Sequence, residues 1–399
     1  MARTPSSTLR VYLECSTFGC DQREFRTQIS WVDWMRDRTD ASVHILVTSQ
    51  QTGSGGREYQ LDFIGLADLA GEDDQLTYTS LGTDVRDETV QGLTSVLSVG
   101  IARYSVLAGS LETFSVTTPD EDPPTDRLVA STQVDDPWDF WVFEIDLNAD
   151  LSGESSRSER RLRGGIEASR TTPEWKIQFE ADGSWREDEI TLSDTTIVDT
   201  RRDWDIEVGV GYALADHWSL GGQGDVAAAT RTNQDLSISI GPALEYSVWP
   251  YVEAPRRSLV AVYSVGLRYF NYEEETLFGH LSETRPAHRA ELNLSQRQPW
   301  GRVFAGMDAS QFLHDPSKYR LGVGGFISFR LVRGFSINLD GGASWIRDQL
   351  FLSASGATDE EILLERRRLA SDFDWEFGIG FSYQFGSIFN NVVNNRFPR

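Results

Sequence analysis

The chain has 399 residues, and 61 acidic side chains outnumber 37 basic ones, which gives a formal net charge of −24. A nucleic-acid partner is excluded, because no basic field is present to attract phosphate. Hydrophobic residues make up 39% of the chain and aromatic residues 11%, so the acidity does not reflect general disorder. With two cysteines in total, a disulfide-stapled scaffold and a cysteine-rich metal cluster are also excluded. We expect no cofactor and no metal ion.

Two features of the sequence are relevant to export and membrane insertion: the start of the numbered chain and one apolar segment. Met1 is followed directly by Ala2-Arg3-Thr4-Pro5, so the numbered chain has no signal peptide. If the protein is exported, the numbering begins at a mature form or the true start is missing. The segment 93–111 is a candidate transmembrane helix, but Arg103 near its middle favours an amphipathic helix of a domain.

Residues 1–117 have the pattern of a small α/β domain in the order β-α-β-β-β-α. The predicted strands are 9–14, 41–49, 57–66 and 75–81. Asp21 and Glu24 form a capping box that opens the first helix. The apolar face of this helix carries Phe25, Ile29, Val32 and Met35. A second helix begins near Asp84 and presents Val90, Leu93, Leu97, Ile101 and Tyr104. Residues 118–136 are rich in Pro, Asp and Thr, which is typical of a linker.

From residue 138 the pattern changes to twelve segments of alternating apolar and polar residues, separated by turn residues. Such segments are typical of the strands of a transmembrane β-barrel. The predicted strands are 138–149, 159–171, 174–188, 198–214, 218–231, 235–248, 258–271, 288–298, 301–313, 318–332, 335–349 and 371–386. We therefore predict a mainly β protein, in which a 12-stranded antiparallel transmembrane β-barrel (137–399) follows the small α/β domain.

The alternation separates an apolar face from a small or charged face. In the last segment, Trp375 and Phe377 alternate with Asp374 and Glu376. A soluble β-sandwich would bury its apolar face, and its exposed face would seldom be so rich in glycine. Aromatic residues cluster toward the segment ends, as the interfacial girdles of a membrane barrel require.

The lengths of the connections predict an orientation. Every second connection is short or modest, such as 171–173 and 333–334, whereas 272–287 and 350–370 are long. Outer-membrane barrels have short periplasmic turns and longer extracellular loops. We therefore expect the bacterial outer membrane as the location, with the N-terminal domain in the periplasm. Within the last long loop, 358–369 has the charge order of a surface helix.

Two parts of the sequence carry a resemblance to a family. They are VYLECSTFGCDQREFRTQISWVDWMRDRTDASVHILVTSQQTGSGGREYQLDFIGL and the terminal FGSIFNNVVNNRF. Together with the twelve predicted strands, they resemble an uncharacterised family of Gram-negative outer-membrane β-barrel proteins with an N-terminal periplasmic α/β domain. The resemblance covers nearly the whole chain and implies location and architecture, but no activity and no site residues. The chain departs from the usual aromatic ending of such barrels, because Pro398 and Arg399 follow Phe397.

Cys15 and Cys20 lie between the first strand and the first helix. In an oxidising periplasm they can form a structural disulfide, and the alternatives are two free buried thiols or a redox pair. The glycine-rich segment 52–56 lacks the lysine and the helix of a phosphate-binding loop, so we expect a hairpin turn there.

The five histidines show no helical spacing that would bind a metal; they are His44, His217, His280, His288 and His314. A lipid-modifying enzyme would require His280 or His288 to act with Ser282 and Glu283 at the barrel rim. Loop residues of this kind are usually only solvated, so we expect no enzyme and assign no catalytic residue.

The polar face of the predicted strands supplies the candidate lumen-lining residues. They are Glu144, Asp146, Glu180, Asp182, Asp205, Glu207, Asp225, Arg268, Glu291, Arg302, Arg320, Arg330, Asp340 and Glu376. Acidic groups outnumber basic ones, so an open lumen would favour cations. Mixed charges inside a narrow barrel can also pair across the lumen and hold it shut. The sequence leaves an open pore and a plugged lumen as equal alternatives.

Three functional hypotheses fit these patterns. The first is a channel or transport protein for small polar or cationic solutes, with the N-terminal domain as a gate or a partner-binding domain. The second is a non-conducting anchor or scaffold whose residues 1–117 bind a periplasmic protein or an envelope polymer. The third is a lipid-modifying barrel enzyme. In each of them outer-membrane lipid surrounds the barrel.

Overall fold

The structure is a computed structural model that describes residues 8–15, 17–53, 55–109, 138–191, 196–354 and 371–389. The predicted linker at 118–136, the predicted surface helix at 358–369 and Phe397 lie outside the described residues.

The N-terminal domain contains a five-stranded sheet and two helices. Its elements are β1 (Arg10–Cys15), α1 (Gln22–Gln28), β2 (Asp33–Trp34), β3 (Val43–Gln51), β4 (Arg57–Gly65), β5 (Asp74–Thr79) and α2 (Arg86–Leu107). The strand order is β2-β1-β3-β4-β5, in which β1 runs parallel to β2 and β3 and the other pairs are antiparallel. The predicted order of elements is present, and the two-residue β2 is an addition to it.

Helix α1 is shorter than the sequence predicts. Asp21 caps it by accepting hydrogen bonds from the backbone N–H groups of Arg23 and Glu24, but the helix ends at Gln28. Met35, predicted for its apolar face, lies in an extended segment, where its backbone N–H donates to Val11. Pairing beside β1 thus satisfies backbone donors that a longer helix would have satisfied internally.

Helix α2 supplies the core of the domain at the predicted positions. Val90, Leu93, Leu97, Ile101 and Tyr104 are all at most 4% exposed. Gly100 lies so close to Phe63 that a Cβ there would come within 2.1 Å of the ring. Arg103 pairs with Asp74 at the edge of the sheet. None of the helices in the described ranges is long and apolar enough to cross a membrane.

The remaining strands form one antiparallel sheet of twelve, in which each strand pairs with its neighbours in sequence. They are β6 (Trp141–Gly153), β7 (Arg157–Thr171), β8 (Trp175–Thr191), β9 (Thr196–Ala215), β10 (Trp218–Ala229), β11 (Gln234–Ser247), β12 (Arg257–Tyr272), β13 (Ser282–Gln298), β14 (Gly301–Phe312), β15 (Tyr319–Val332), β16 (Phe335–Ile346) and β17 (Phe373–Tyr383). The predicted fold class and number of strands are confirmed. The largest departure is β13, which begins at Ser282 and not at 288.

The two faces of this sheet are inverted relative to a sheet in a water-soluble protein. On β11, Ile240 is 66% and Leu244 40% exposed, whereas Ser237 and Ala243 are each 9% exposed. In a soluble sheet the apolar side chains would be the buried ones. We call the exposed apolar side of the sheet the outer face and the opposite side the lumen face.

The sheet curls so that the lumen face is concave. Glu167 of β7 and Arg289 of β13 line one cavity, together with Glu207 and Asp225, although six strand spacings separate β7 from β13. Within the described residues, the first and last strands, β6 and β17, each pair on one side only. The enclosed space is the lumen. Its loop end lies toward the connection 273–281, and its turn end lies toward the connection 333–334.

Candidate functional site

Five carboxylates of the lumen face stand in register on five neighbouring strands. Glu144 lies opposite Glu167, which lies opposite Glu180. The row continues to Glu207 and Asp225. Directly opposite residues of antiparallel strands project from the same face, about 5 Å apart, and like charges there destabilise the sheet. We call this row the acidic ladder. The repulsion between its neighbouring carboxylates lowers the stability of the sheet.

All fourteen predicted lumen residues lie on the lumen face, as the register shows. Asp146, Asp182 and Asp205 form a second acidic row beside the ladder. The others, apart from the ladder, are Arg268, Glu291, Arg302, Arg320, Arg330, Asp340 and Glu376. The register places these side chains on one face, and their part in conduction stays a prediction.

The charge of the ladder row changes sign around the lumen. Beyond Asp225 the row passes through Ser239 to Arg268 and then to Arg285. Arg289, four residues further along β13, reaches the cavity that the ladder lines. An acidic wall therefore faces a basic one at this depth.

In the sequence, we summed the charge over the whole lumen face and missed this separation of acidic and basic residues. The signal was present, because in a meander of strands the order in sequence is the order around the lumen.

Arginines of the basic wall are held by contacts inside the lumen. The guanidinium of Arg268 lies 5.7 Å from the ring centre of Phe270 and 5.9 Å from that of Phe312. Arg302 lies 5.2 Å from the ring centre of Phe326. Such cation–π contacts fix the position of a charge while leaving it available to a solute.

Loop residues pack into the loop end of the lumen. Leu350 and Phe351 contact a buried cluster formed by the lumen-facing side chains Phe270, Tyr272 and Phe312. Tyr272 donates a hydrogen bond of 2.7 Å to Glu283. Phe270, Tyr272, Phe312 and Leu350 are at most 6% exposed, so the loop end is substantially covered.

Asn233 ties two loops together at this end. Its side-chain amide donates to the carbonyl oxygens of Glu274 at 3.0 Å and Phe351 at 3.1 Å. Its side-chain oxygen accepts from the backbone N–H of Glu274 at 2.9 Å. Asn233 itself is 4% exposed and has φ of 53°, a left-handed conformation that asparagine tolerates.

The N-terminal domain docks on the turn end of the lumen. Arg330, on the lumen face near the end of β15, donates a 2.6 Å hydrogen bond to the hydroxyl of Tyr12. The same guanidinium lies 3.7 Å from the carboxylate of Glu14. In the turn that follows, Arg333 pairs with Asp40 at 2.8 Å.

Asp37 connects the two domains through both of its oxygens. One oxygen accepts from the backbone N–H of Thr39 at 3.0 Å, and the other accepts from the backbone N–H of Gly334 at 2.8 Å. Burial alone would raise the pKa of Asp37, but these hydrogen bonds outweigh it and hold the pKa below its ordinary value. Burial, reinforced by Glu14, raises the pKa of Tyr12 to about 12, so Tyr12 stays neutral beside Arg330.

Further contacts lie elsewhere around the rim. Arg256, between β11 and β12, lies 3.6 Å from Asp62. Arg36 donates its backbone N–H to Ile388, beyond β17, at 3.0 Å. A Cβ at Gly53 would lie within 2.4 Å of Thr171, at the end of β7. Because these contacts reach β7, β12 and the segment after β17, the domain lies across the turn end. No sequence signal marks these residues, because each contact joins distant parts of the chain.

Cys15 and Cys20 are joined as a disulfide, with their Cα atoms 5.8 Å apart. It closes the loop between β1 and α1. The glycine-rich segment 52–56 connects the antiparallel strands β3 and β4, as a hairpin connection does.

Of the two histidines considered for a lipid-modifying enzyme, His288 lies apart from Glu283. Glu283 faces the lumen and is bound by Tyr272 and Arg285. His288 lies on the outer face, five positions along the same strand, so it cannot act with Glu283. His280 contacts Arg285. His44 contacts Glu14, His217 contacts the carbonyl oxygen of Ser247, and His314 contacts the ring of Phe312. Within the described part of the chain, no group of three or more His, Cys, Asp or Glu residues is arranged to hold a metal ion.

Comparisons with solved structures find membrane β-barrels. The NanC porin has 12% sequence identity and a TM-score of 0.29, and the match covers 60% of this chain and 99% of the porin. The CymD monoaromatic hydrocarbon channel has 8% identity and a TM-score of 0.28, with 62% of this chain and 87% of the channel covered. The β domain of the Bordetella autotransporter BrkA has 12% identity and a TM-score of 0.27, with 61% and 98% covered. At these TM-scores the likeness supports no argument about this chain. No family model and no curated protein matches the sequence.

Proposed function

We propose that this protein is an outer-membrane β-barrel that passes small polar solutes, preferentially cations, and that its N-terminal domain gates the turn end from the periplasm. One observation carries the proposal: the apolar side chains of the twelve-stranded sheet face outward, while carboxylates and arginines face a curled interior.

The outer face supports membrane insertion. Trp204 and Tyr212 lie on the outer face of β9, eight residues apart, and are 39% and 38% exposed. Eight residues of strand span about 27 Å along the strand, which is about 20 Å along the membrane normal at the usual tilt. The apolar band of a membrane barrel is about 25 Å tall, so the two side chains lie near its two edges. Aromatic side chains at such a spacing match the two interfaces of a bilayer. Val208 and Val210, between them, are also exposed.

The lumen supports passage of cations. The acidic ladder places five carboxylates in one row, and a second acidic row lies beside it. Such rows raise the local concentration of cations in a confined space. Arg268 and Arg289 lie on the opposite wall, so an electric field runs across the lumen from the arginines to the carboxylates. This field would also orient solutes that carry both a positive and a negative charge.

The connection lengths support the orientation. The N-terminal domain contacts the end of the barrel that has the short turns, such as 333–334. In outer-membrane barrels the short turns are periplasmic.

A second candidate function is a non-conducting anchor whose N-terminal domain binds an envelope partner. The coverage of both ends favours it, because Leu350 and Phe351 pack into the loop end and the N-terminal domain lies across the turn end.

Ion selectivity of the reconstituted full-length protein tests the proposal. The reversal potential in a salt gradient should show a preference for cations. Replacing two ladder residues, in Glu180→Gln/Glu207→Gln, should reduce the ratio of cation to anion permeability severalfold. The matched control is Asp68→Asn/Glu72→Gln, which neutralises two exposed carboxylates of the N-terminal domain and should leave the ratio unchanged. Equal selectivity in all three proteins would contradict the assigned role of the ladder.

A further inference from the structure

A polar cluster interrupts the apolar outer face. The hydroxyl of Tyr263 lies 3.2 Å from Nδ1 of His288, and Nε2 of His288 lies 3.2 Å from Oε1 of Gln311. All three belong to the outer face, on β12, β13 and β14, as their register with outward residues shows. Ionisable and amide side chains on a lipid-facing surface are costly and mark functional sites.

The hydrogen bonds orient the donors and acceptors of the cluster. The amide nitrogen of Gln311 donates to the carbonyl oxygen of Pro316 at 2.9 Å, so its oxygen faces His288. Nε2 of His288 therefore carries the proton and donates to Gln311. In the neutral imidazole, Nδ1 then accepts a hydrogen bond from the Tyr263 hydroxyl. The lone pairs of the exposed phenolic oxygen stay available to accept a hydrogen bond from a ligand.

An apolar groove begins at Tyr263 of this cluster. It is formed on the outer face of β10 to β14, and its lining includes Trp218, Tyr246, Ala261, Tyr263, Ala290 and Leu292. Ala261 and Ala290 are its small residues, between larger side chains on both sides. Trp218 lies at the start of β10, so that end of the groove is at the turn end.

The length of the groove suits an acyl chain. Three strand spacings separate β10 from β13, and four residues along the strand separate Leu292, in the row of Trp218, from His288. These distances are each about 14 Å, so the diagonal is about 20 Å. The groove therefore runs from an aromatic side chain at one interface to hydrogen-bonding groups near the other.

We propose that this groove binds one acyl chain of a membrane lipid, with the ester and headgroup region of that lipid at Tyr263, His288 and Gln311. The site depends on the membrane insertion that the proposed function includes, but not on conduction. Glycerophospholipid and lipid A share this chemistry, and the test separates them. The occupant is a lipid and not a protein segment because the apolar lining ends in hydrogen-bonding groups at interfacial depth.

Photo-crosslinking of the full-length protein in vesicles tests the site. The vesicles contain phosphatidylethanolamine and phosphatidylglycerol, with a trace of phosphatidylethanolamine that carries a diazirine in the middle of one acyl chain. A parallel sample carries diazirine-labelled lipid A. After irradiation, peptides of β12 and β13 should be labelled severalfold more than those of the outer face of β15 and β16. The lipid that shows this enrichment is the source.

Two kinds of variant test the groove directly. Ala290→Trp fills it and should reduce labelling of β12 and β13 severalfold. Ala181→Trp, on the outer face of β8 and away from the groove, is the matched control and should leave the labelling unchanged. His288→Leu/Gln311→Leu removes the hydrogen-bonding groups, keeps the outer face apolar and should lower the enrichment of label on β12 and β13. This variant keeps the inference testable if the tryptophan in Ala290→Trp prevents folding.

The outcomes separate this inference from the proposed function. Even labelling of all outer faces, unaffected by Ala290→Trp, would show membrane insertion without a lipid site and would overturn the inference alone. Absence of label from every outer face would overturn membrane insertion and the inference together.

Discussion

Asp37 is a single carboxylate that joins the two domains. It accepts hydrogen bonds from Thr39 within its own domain and from Gly334 in a turn of the barrel. Met35, nearby, is 3% exposed and lies outside the apolar core cluster of the domain, and it bridges to Phe389 beyond the barrel. Its burial therefore reports on docking.

Replacing Asp37 should weaken docking. In Asp37→Ala the backbone N–H of Gly334 loses its acceptor, at a cost of about 1–3 kcal/mol. We expect faster oxidation of Met35 by peroxide, measured by mass spectrometry of the intact reconstituted protein. Met307 on the outer face, 42% exposed, is the internal reference, and Asp68→Asn is the matched variant. Equal oxidation of Met35 in wild type and Asp37→Ala would rule out this role.

Docking should also depend on pH. The pKa of Asp37 is lowered in the docked state, because hydrogen bonds favour its charged form. Its contribution is therefore complete above the ordinary value of about 4 and is lost as the pH falls through the lowered one. Arg330, Arg333, Asp40 and Glu14 face the same junction.

We expect oxidation of Met35, relative to Met307, to rise below about pH 4. In Asp37→Asn the ratio should already be raised at neutral pH and should change less with acid. A ratio that is independent of pH in wild type would contradict the assignment.

Gly100 shows how packing overrides helix propensity. Alanine is favoured over glycine in a helix by about 1 kcal/mol, but a Cβ at Gly100 would lie within 2.1 Å of Phe63. Gly100→Ala should therefore destabilise the domain, because overpacking costs about 1–3 kcal/mol. The measurement is the urea midpoint for protease resistance of residues 8–109. Val99→Ala, at a position that is 67% exposed, is the control. A midpoint at or above that of wild type would show that Phe63 can move aside.

At the scale of elements, the strands were predictable and their exact ends were not. Alternation with period two over long segments predicted all twelve strands of the large sheet, because each has one face in an apolar and one in a polar environment. The early start of β13 was hidden, since Pro286 and charged residues such as Glu283 and Arg285 read as a loop. Its beginning depends on pairing with β12, which sequence periodicity does not report.

The covering of the loop end was also beyond the sequence. Asn233 joins loops that lie far apart in the chain, and Phe270 and Phe312 become buried only where Leu350 packs on them. The face of each candidate lumen residue followed from alternation, whereas its partners followed from tertiary packing. The docking residues Tyr12, Asp37 and Arg333 carried no pattern at all.

Asn233 should hold the loop cover in place. Asn233→Gly keeps the freedom to adopt the left-handed conformation and removes three side-chain hydrogen bonds. We expect severalfold faster cleavage within 273–281 by an added protease, with Asn148→Ala on β6 as the control. Unchanged cleavage would mean that packing of Leu350 and Phe351 suffices to hold the loops.

At the scale of the whole molecule, charge and polarity are arranged in three directions. Across the sheet, apolar side chains face outward and charged ones inward. Around the lumen, the acidic ladder gives way to Arg268 and Arg285. Along the lumen, one end is covered by loops and the other by the N-terminal domain. This last arrangement is the basis of the proposed gating role of the N-terminal domain at the turn end.

The most direct test of the proposed function is single-channel conductance of the full-length protein in planar bilayers, with Arg330→Ala/Arg333→Ala compared to wild type. These changes remove the contacts to Tyr12, Glu14 and Asp40. We expect a cation-preferring conductance that is open more often in the variant than in wild type. A stably inserted barrel that is silent in both proteins would contradict it and would assign the function to what the N-terminal domain binds.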